Sequence, residues 1–196
     1  MSRIGKKPIA IPSGVKIEVQ QQLVKVAGPK GQLSWSYPAG VKVAIDDKEK
    51  VVNVSRDGDS RQNRALHGTA RALINNMVVG ASLGYSRKME IYGTGYSCKV
   101  AGSTLQLTLG FAHPVDLSIP AGVKIEIEVP ATKGNETPAK FSVTGPDKQV
   151  VGQFCRTIKD LRPPEPYQGK GIRFAGEQIR RKAGKAFAGA GGAAGS

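Results

Sequence analysis

The sequence predicts an α+β protein built as a tandem duplication, in which each copy is a small antiparallel sheet plus one helix. A basic C-terminal extension follows. Three observations predict this fold. Short stretches alternate apolar and polar residues, as half-buried strands do. Two longer stretches place apolar residues three and four positions apart, as helices do. Several phrases of the first half of the chain also recur in the second half.

The first copy begins after a basic arm, residues 1–10. Alternation predicts strands over residues 11–19, 23–27, 33–37, 41–45 and 51–54, and a polar turn joins the last two as a hairpin. The spacing of apolar residues then changes to three and four, at positions 66, 70, 73 and 77, which predicts a helix over residues 59–79. We expect Asp59 to cap the start of this helix and Gly80 to end it.

The second copy repeats the first with growing offsets. Lys-Val-Ala-Gly at residue 25 returns at residue 99, and Pro-Ala-Gly-Val-Lys at residue 38 returns at residue 120. The growing offset indicates longer loops in the second copy, around residues 110–115 and 133–138. A second helix with one apolar face is expected to stop at Pro163 and Pro164, because proline cannot continue a helix.

These patterns predict three segments. Residues 1–82 form the first repeat with its basic arm, and residues 83–177 form the second repeat. Residues 178–196 form a tail that is first basic and then rich in Gly and Ala.

Composition narrows the class of partner. The 196 residues include 29 Lys and Arg against 15 Asp and Glu, which gives a net charge of +14 and favours a polyanion as partner. No apolar stretch approaches the roughly 18 residues of a membrane-spanning helix, and the first residues lack a signal peptide's apolar core. We therefore expect a cytoplasmic protein without a membrane partner. Cys98 and Cys155 stand far apart without metal-ligand spacing, so we expect reduced, partly buried thiols and no metal site.

The most informative stretch is residues 163–174, Pro-Pro-Glu-Pro-Tyr-Gln-Gly-Lys-Gly-Ile-Arg-Phe. Its prolines exclude a helix, and the two glycines around Lys170 leave the backbone free to approach a partner closely. Residues 168–185 carry six Lys or Arg and one acid. Aromatic side chains among clustered cations favour a nucleic-acid phosphate backbone, whereas a solvated basic tail is the common alternative for a charge run.

Candidate RNA contacts follow from this stretch and from the cations of the first copy. The main candidates are Tyr167, Gly169, Lys170, Gly171, Arg173, Arg180, Arg181, Lys182 and Lys185. Candidates for secondary contacts are Arg3, Lys6, Lys7, Arg64 and Arg71. The helix of the first copy carries Arg64, His67 and Arg71 on one polar stripe with Arg61, although a solvated face is the more common role of such a stripe. We expect Tyr167 either to stack on a base or ribose or to pack against the second copy.

Several motifs together resemble one family. They are Pro-Glu-Pro-Tyr-Gln-Gly-Lys-Gly-Ile at residues 164–172, Ser-Arg-Ile-Gly-Lys-Lys-Pro at residues 2–8, and the Gly-Pro-Lys-Gly turn at residues 28–31. With the duplication, they are similar to the bacterial-type large-subunit ribosomal protein six family over residues 1–185. One departure is Gln168, where the family usually has Lys.

The resemblance implies a structural protein, not an enzyme, that needs no cofactor and has no small-molecule substrate. It implies binding to large-subunit rRNA, chiefly through the C-terminal copy, with neighbouring large-subunit proteins as further partners. It also implies a place in the ribosome near the base of the lateral stalk, close to the region where translation factors dock.

Other patterns do not indicate catalysis. Gly93-Thr94-Gly95-Tyr96 resembles half a dinucleotide fingerprint, but no βαβ unit follows, so we predict a bulge or tight bend. His113 has no Cys or carboxylate at metal spacing. No nucleophile, base and oxyanion site come together in the sequence, which disfavours a hydrolase with unfamiliar motifs. A free-standing RNA-binding assembly factor remains an alternative, distinguished by whether the chain stays on salt-washed large subunits.

Overall fold

The computed structural model describes residues 4–46, 49–133 and 137–182. Its elements in chain order are β1 (Ile9–Ala10), β2 (Lys16–Gln20), β3 (Leu23–Gly28), β4 (Gly31–Ser36), β5 (Val41–Asp46), β6 (Val51–Arg56), α1 (Arg61–Ser82), β7 (Tyr85–Tyr92), β8 (Ser97–Ala101), β9 (Thr104–Thr108), β10 (Val115–Ser118), β11 (Lys124–Val129), β12 (Ala139–Gly145), α2 (Lys148–Leu161) and β13 (Gly171–Phe174). The predicted α+β class, with several strands before each helix, is confirmed.

The strands form four small sheets, with the orders β1-β6-β5, β2-β3-β4, β10-β9-β8 and β11-β12-β7-β13. The predicted hairpin of β5 and β6 is confirmed, because Val41 pairs with Arg56 and Asp46 pairs with Val51. Strand β13, which begins at the last glycine of the Gly-Lys-Gly motif, runs antiparallel to β7 from Gly171↔Tyr92 to Phe174↔Met89.

Contacts divide the chain into two compact units. The first unit comprises Met1–Arg87, Ile119–Glu126 and Ser142–Cys155. The second unit comprises Lys88–Ser118, Ile127–Phe141 and Arg156–Ser196. The segment limits that we derived from the repeats, at residues 82 and 177, remain a prediction.

The core of the first unit lies between α1 and the strands that contact it, β3 to β6. Alternation places Val24 and Val26 of β3 on the buried face, while their neighbour Lys25 lies on the other face. Helix α1 adds Ile74 and Ala81 at full burial. Burial of these side chains stabilises the unit, at about 1.5–3 kcal/mol for each large aliphatic residue.

The ends of α1 differ from the prediction. Ser60, not Asp59, is the N-cap, and its hydroxyl accepts a hydrogen bond of 3.1 Å from the Asn63 amide. Asp59 instead pairs with Arg56. Gly80 does not end the helix, which continues to Ser82. A glycine is needed at this position because a Cβ would overlap the carbonyl oxygen of Pro146.

The predicted strand over residues 11–19 is shorter than expected. It begins only at Lys16, because Pro12 and Gly14 form a turn in which the Val15 amide donates to the Pro12 carbonyl. Gly14 has φ +87°, which favours glycine. The basic arm also contains an element that the sequence did not reveal, since Ile9 lies in β1, pairs with Val52 of β6 and is fully buried.

The two cysteines are free thiols, and both are buried. Burial raises the pKa of Cys98 to about 11 and that of Cys155 also to about 11, the latter against an opposing effect of Arg87. Thiols with such pKa values remain protonated and unreactive near neutral pH.

Two helical glycines offer a matched test of packing. Gly80→Ala should destabilise the protein by about 1–3 kcal/mol, because the added methyl group meets a backbone oxygen that cannot turn aside. Gly152→Ala should stabilise it by about 1 kcal/mol, because Gly152 is exposed in α2 with open space around it and Ala is the better helix former. Urea unfolding of both variants checks this. Equal effects of the two substitutions would contradict the packing assigned to Gly80.

Candidate nucleic-acid interface

Residues 163–182, here called the C-terminal segment, are tied down by their own backbone. The Ile172 amide donates to the Arg162 carbonyl at 2.8 Å, and the Glu165 amide donates to the Lys170 carbonyl at 2.9 Å. These two bonds close the proline-rich stretch into a loop against the start of β13. The Lys182 amide then donates to the Pro166 carbonyl at 2.8 Å. The described part of the segment is therefore a folded loop and not a solvated tail.

The two glycines serve this loop in a way that corrects the sequence interpretation. Both are buried, so neither leaves bare backbone open to a partner. Gly171 has φ +135°, and a Cβ there would lie 2.7 Å from the Pro163 carbonyl oxygen. Gly169 has φ +73°, and a Cβ there would lie 3.3 Å from the Arg181 guanidinium. Glycine is required because the loop packs closely on itself.

Arg173 is also placed differently from the other candidate cations. Its side chain is only 14% exposed, and its guanidinium carbon lies 3.4 Å from the centroid of the Tyr92 ring. Its Nε lies 4.0 Å from a carboxylate oxygen of Glu90 and makes no hydrogen bond within the described residues. Glu90 also accepts from the Tyr92 hydroxyl at 3.0 Å. Arg173 therefore packs on the sheet and its charge faces a carboxylate, while its contact with RNA stays a prediction.

The remaining candidates are more accessible. Arg180, Arg181 and Lys182 are exposed, and Lys170 is half-buried. Tyr167 is 56% exposed, so its ring is not packed into a core. Lys185 lies outside the described residues. The loop thus brings Arg181 beside Gly169, one residue from Lys170, and presents several cations and one aromatic ring from a short folded stretch.

An ion pair connects the C-terminal segment to helix α2 after strand β13. Lys159 of α2 lies 2.5 Å from Glu177, whose other carboxylate oxygen accepts from the Phe174 amide at 3.1 Å. The Lys159 ammonium also lies 5.1 Å from the centroid of the Phe174 ring. The hydrogen bond from Lys159 is the largest cause that lowers the pKa of Glu177 below its usual value, and the Phe174 amide adds to it. Burial opposes this shift.

The secondary candidates lie in the first unit and differ from one another. Lys6 and Lys7 are exposed. Arg64 is exposed and lies 3.8 Å from Asp59. Arg71 already makes hydrogen bonds within the protein, because its Nε and Nη2 donate to the carbonyls of Lys7 and Pro8 at 3.2 and 3.3 Å. Arg3 lies outside the described residues.

His67 does not share the polar stripe that the sequence suggested. It is buried, and its Nε2 lies 2.9 Å from the Val54 carbonyl oxygen. A Cβ on Gly5 would lie 2.6 Å from the imidazole ring, so the basic arm packs directly over it. His67 is therefore a core residue of the first unit.

Arg162 is a residue of the site that no sequence pattern singled out. It stands immediately before the two prolines, and its carbonyl accepts the bond that closes the loop. Its position between a helix end and Pro163 could have indicated this role, because the last carbonyl groups of a helix have no partner within the helix.

The described part of the chain contains neither a metal-binding cluster nor a membrane-spanning helix. No group of three or more His, Cys, Asp or Glu side chains lies close enough there to hold a metal ion. None of the helices described is long and apolar enough to cross a membrane.

Acid should weaken the hold of Glu177. Because the folded-state pKa is lowered, the stabilisation by Glu177 is complete above its ordinary pKa of 4.5 and is lost as pH falls through the folded value. Glu177→Gln should therefore destabilise the protein at pH 7, and its difference from the wild type should shrink below pH 4.5. Lys159→Gln should remove most of this pH-dependent difference, because the hydrogen bond from Lys159 is the largest cause that lowers the pKa of Glu177. Urea unfolding at several pH values measures this, and a difference that stays constant from pH 7 to pH 3 would contradict the ion pair.

Comparison with known families finds one family model that matches the chain twice. The family model described as Ribosomal protein L6 matches residues 11–84 and residues 92–175. The two matched segments contain α1 and α2 respectively, as a tandem duplication requires. The second match includes the Gly-Lys-Gly motif and β13.

Proposed function

The chain belongs to the ribosomal protein L6 family, and from this membership we propose that the C-terminal segment is its principal rRNA contact. The family consists of structural proteins of the large ribosomal subunit that bind rRNA, and it is not a family of enzymes. The finer assignment of this role to residues 163–182 rests on one observation. The segment combines a backbone-closed loop with exposed cations that no described carboxylate neutralises.

The division of charges within the segment supports this assignment. Lys159 lies 2.5 Å from Glu177, and Arg173 lies 4.0 Å from Glu90, a carboxylate that also lies 3.9 Å from Lys140, so both cations face carboxylates within the protein. Arg180, Arg181 and Lys182 are exposed and appear in no ion pair among the described residues. Uncompensated cations at a folded surface attract phosphates, and binding then releases the counterions of the RNA.

The mechanism is docking of a preformed surface. The cations contact phosphates, and Lys170 reaches the backbone from a loop whose shape does not depend on RNA. Such contacts carry little sequence information, so the RNA is recognised mainly by shape. Tyr167, with its ring more than half exposed, stacks on an unpaired base or a ribose.

The location within the subunit is a further part of the proposal. We place the protein near the base of the lateral stalk, close to the translation-factor docking region, in cytoplasmic ribosomes. The family resemblance supports this location, and neighbouring large-subunit proteins are the additional partners. Crosslinking in isolated large subunits tests it. Crosslinks confined to rRNA and proteins remote from the stalk would contradict the location while leaving rRNA binding intact.

Neutralising Lys170 or one of the three exposed cations of the C-terminal segment should weaken rRNA binding and reduce its dependence on salt. Lys170→Gln, Arg180→Gln, Arg181→Gln and Lys182→Gln should each cost about 1 kcal/mol and lower the slope of log K against log salt by just under one unit. The loss should be similar for RNAs of the same shape and different sequence. Affinity for large-subunit rRNA, measured at several salt concentrations, checks this.

Two controls separate a specific surface from general charge. Lys99→Gln removes the same charge from an exposed position on β8 of the same unit and should leave the slope nearly unchanged. Arg173→Gln should lower the free energy of unfolding, because Arg173 packs on Tyr92. Its effect on the salt slope should be smaller than that of Lys170→Gln. If Lys99→Gln lowers the slope as much as Lys170→Gln does, binding is governed by net charge and the proposed surface is wrong.

A further inference from the structure

Two glycine-containing stretches without an assigned role converge on Arg162. They are Gly93-Thr94-Gly95-Tyr96 and the loop after β9 that begins at Gly110. The guanidinium carbon of Arg162 lies 5.2 Å from the ring centroid of Tyr96 and 5.2 Å from that of Phe111. Its Nη1 also donates to the Leu109 carbonyl. All these residues belong to the second unit.

The glycines create the space for this cluster. A Cβ on Gly93 would overlap the Tyr96 ring. Gly110 has φ +73°, and a Cβ there would lie 3.0 Å from the Tyr96 ring and 3.4 Å from the Arg162 guanidinium. Tyr96 is buried, while the Thr132 hydroxyl donates to the Gly93 carbonyl at 2.6 Å and accepts from the Tyr96 amide at 3.2 Å. Thr132 therefore holds the backbone of residues 93–96 in place. The predicted tight bend at these residues makes room for the Tyr96 ring.

Phe111 is the exposed end of this cluster, with 44% of its surface accessible. A single exposed apolar residue is ordinary on a protein surface, and Val100 of the same unit is one, at 41%. Phe111 differs from Val100 because the Arg162 guanidinium lies over its ring at a cation–π distance of 5.2 Å. A planar ring with a neighbouring cation is a suitable platform for an unpaired nucleotide, since bases stack on aromatic rings and the flanking phosphates are anionic.

We propose that Phe111, supported by Arg162 and Tyr96, binds one unpaired base of large-subunit rRNA by stacking. This inference rests on the proposed function. The choice of RNA over a protein partner follows from continuity, because Arg162 is also the residue whose carbonyl closes the C-terminal segment. The same arginine thus joins a stacking platform to a cationic surface. The platform adds contact with a base to a surface that otherwise recognises phosphates.

Substitution of Phe111 in the full-length chain tests the stacking. With deproteinised large-subunit rRNA as the probe, Phe111→Ala should weaken binding by about fivefold or more, as loss of one stacked base does. Phe111→Leu should weaken it similarly, because an aliphatic side chain has no π face, whereas Phe111→Trp should bind like the wild type. The salt slope should not change in any of them, because no phosphate contact is lost. Val100→Ala is the matched control and should bind like the wild type.

A direct contact measurement accompanies the affinities. With benzoylphenylalanine in place of Phe111 in reconstituted large subunits, irradiation should join the chain to an rRNA nucleotide. Crosslinks to a protein instead, or unchanged affinity of both Phe111→Ala and Phe111→Leu, would overturn the stacking platform. If Lys170→Gln still lowers the salt slope in that case, the proposed function stands and only this inference fails. A wild-type chain whose rRNA affinity does not depend on salt would remove the proposed function itself.

Discussion

The hydrogen bond from the Ile172 amide to the Arg162 carbonyl determines the shape of the C-terminal segment. It brings the end of α2 against the start of β13, across a loop that begins with two prolines. The close approach leaves no room for a side chain at residue 171, where a Cβ would also lie 2.9 Å from that same carbonyl oxygen. The glycine of the motif is thus a condition of the bond. Without the bond, Lys170 would sit on a flexible linker.

Two features of the surface depend on that closure. Strand β13 continues from the bond and pairs with β7, which places Arg173 opposite Glu90 and on the Tyr92 ring. The chain then turns at Glu177, which is held by Lys159, and returns beside Pro166 and Gly169. The inward cations face carboxylates, and the outward ones appear in no ion pair among the described residues. Ordering the loop before binding reduces the entropy that binding must overcome, which is how a small surface gains affinity.

The spacing of apolar residues and the turn residues predicted the fold class, the two helices and strands β2 to β6 of the first copy, because burial on one face imposes a pattern on the residues themselves. Contacts between residues distant in sequence were not predictable in this way. Gly80 looked like a helix stop, but it is a packing site for Pro146. His67 looked polar, but Gly5 covers it. Gly169 and Gly171 were expected to leave the backbone open to a partner, but both are buried and their neighbours are parts of the same loop. The sequence does not distinguish Arg173 from Arg180. They differ because Arg173 packs on Tyr92 and faces Glu90.

Amide hydrogen exchange tests most directly whether the rRNA-binding segment is folded before it meets RNA. The amides of Glu165, Ile172 and Lys182 each donate to a backbone carbonyl in the structure. They should therefore exchange far more slowly than unstructured amides in the free protein, and bound rRNA should leave the pattern of hydrogen bonds unchanged. Exchange of these amides at the unstructured rate in the free protein, with protection only on the RNA, would contradict a preformed surface. The segment would then fold on binding.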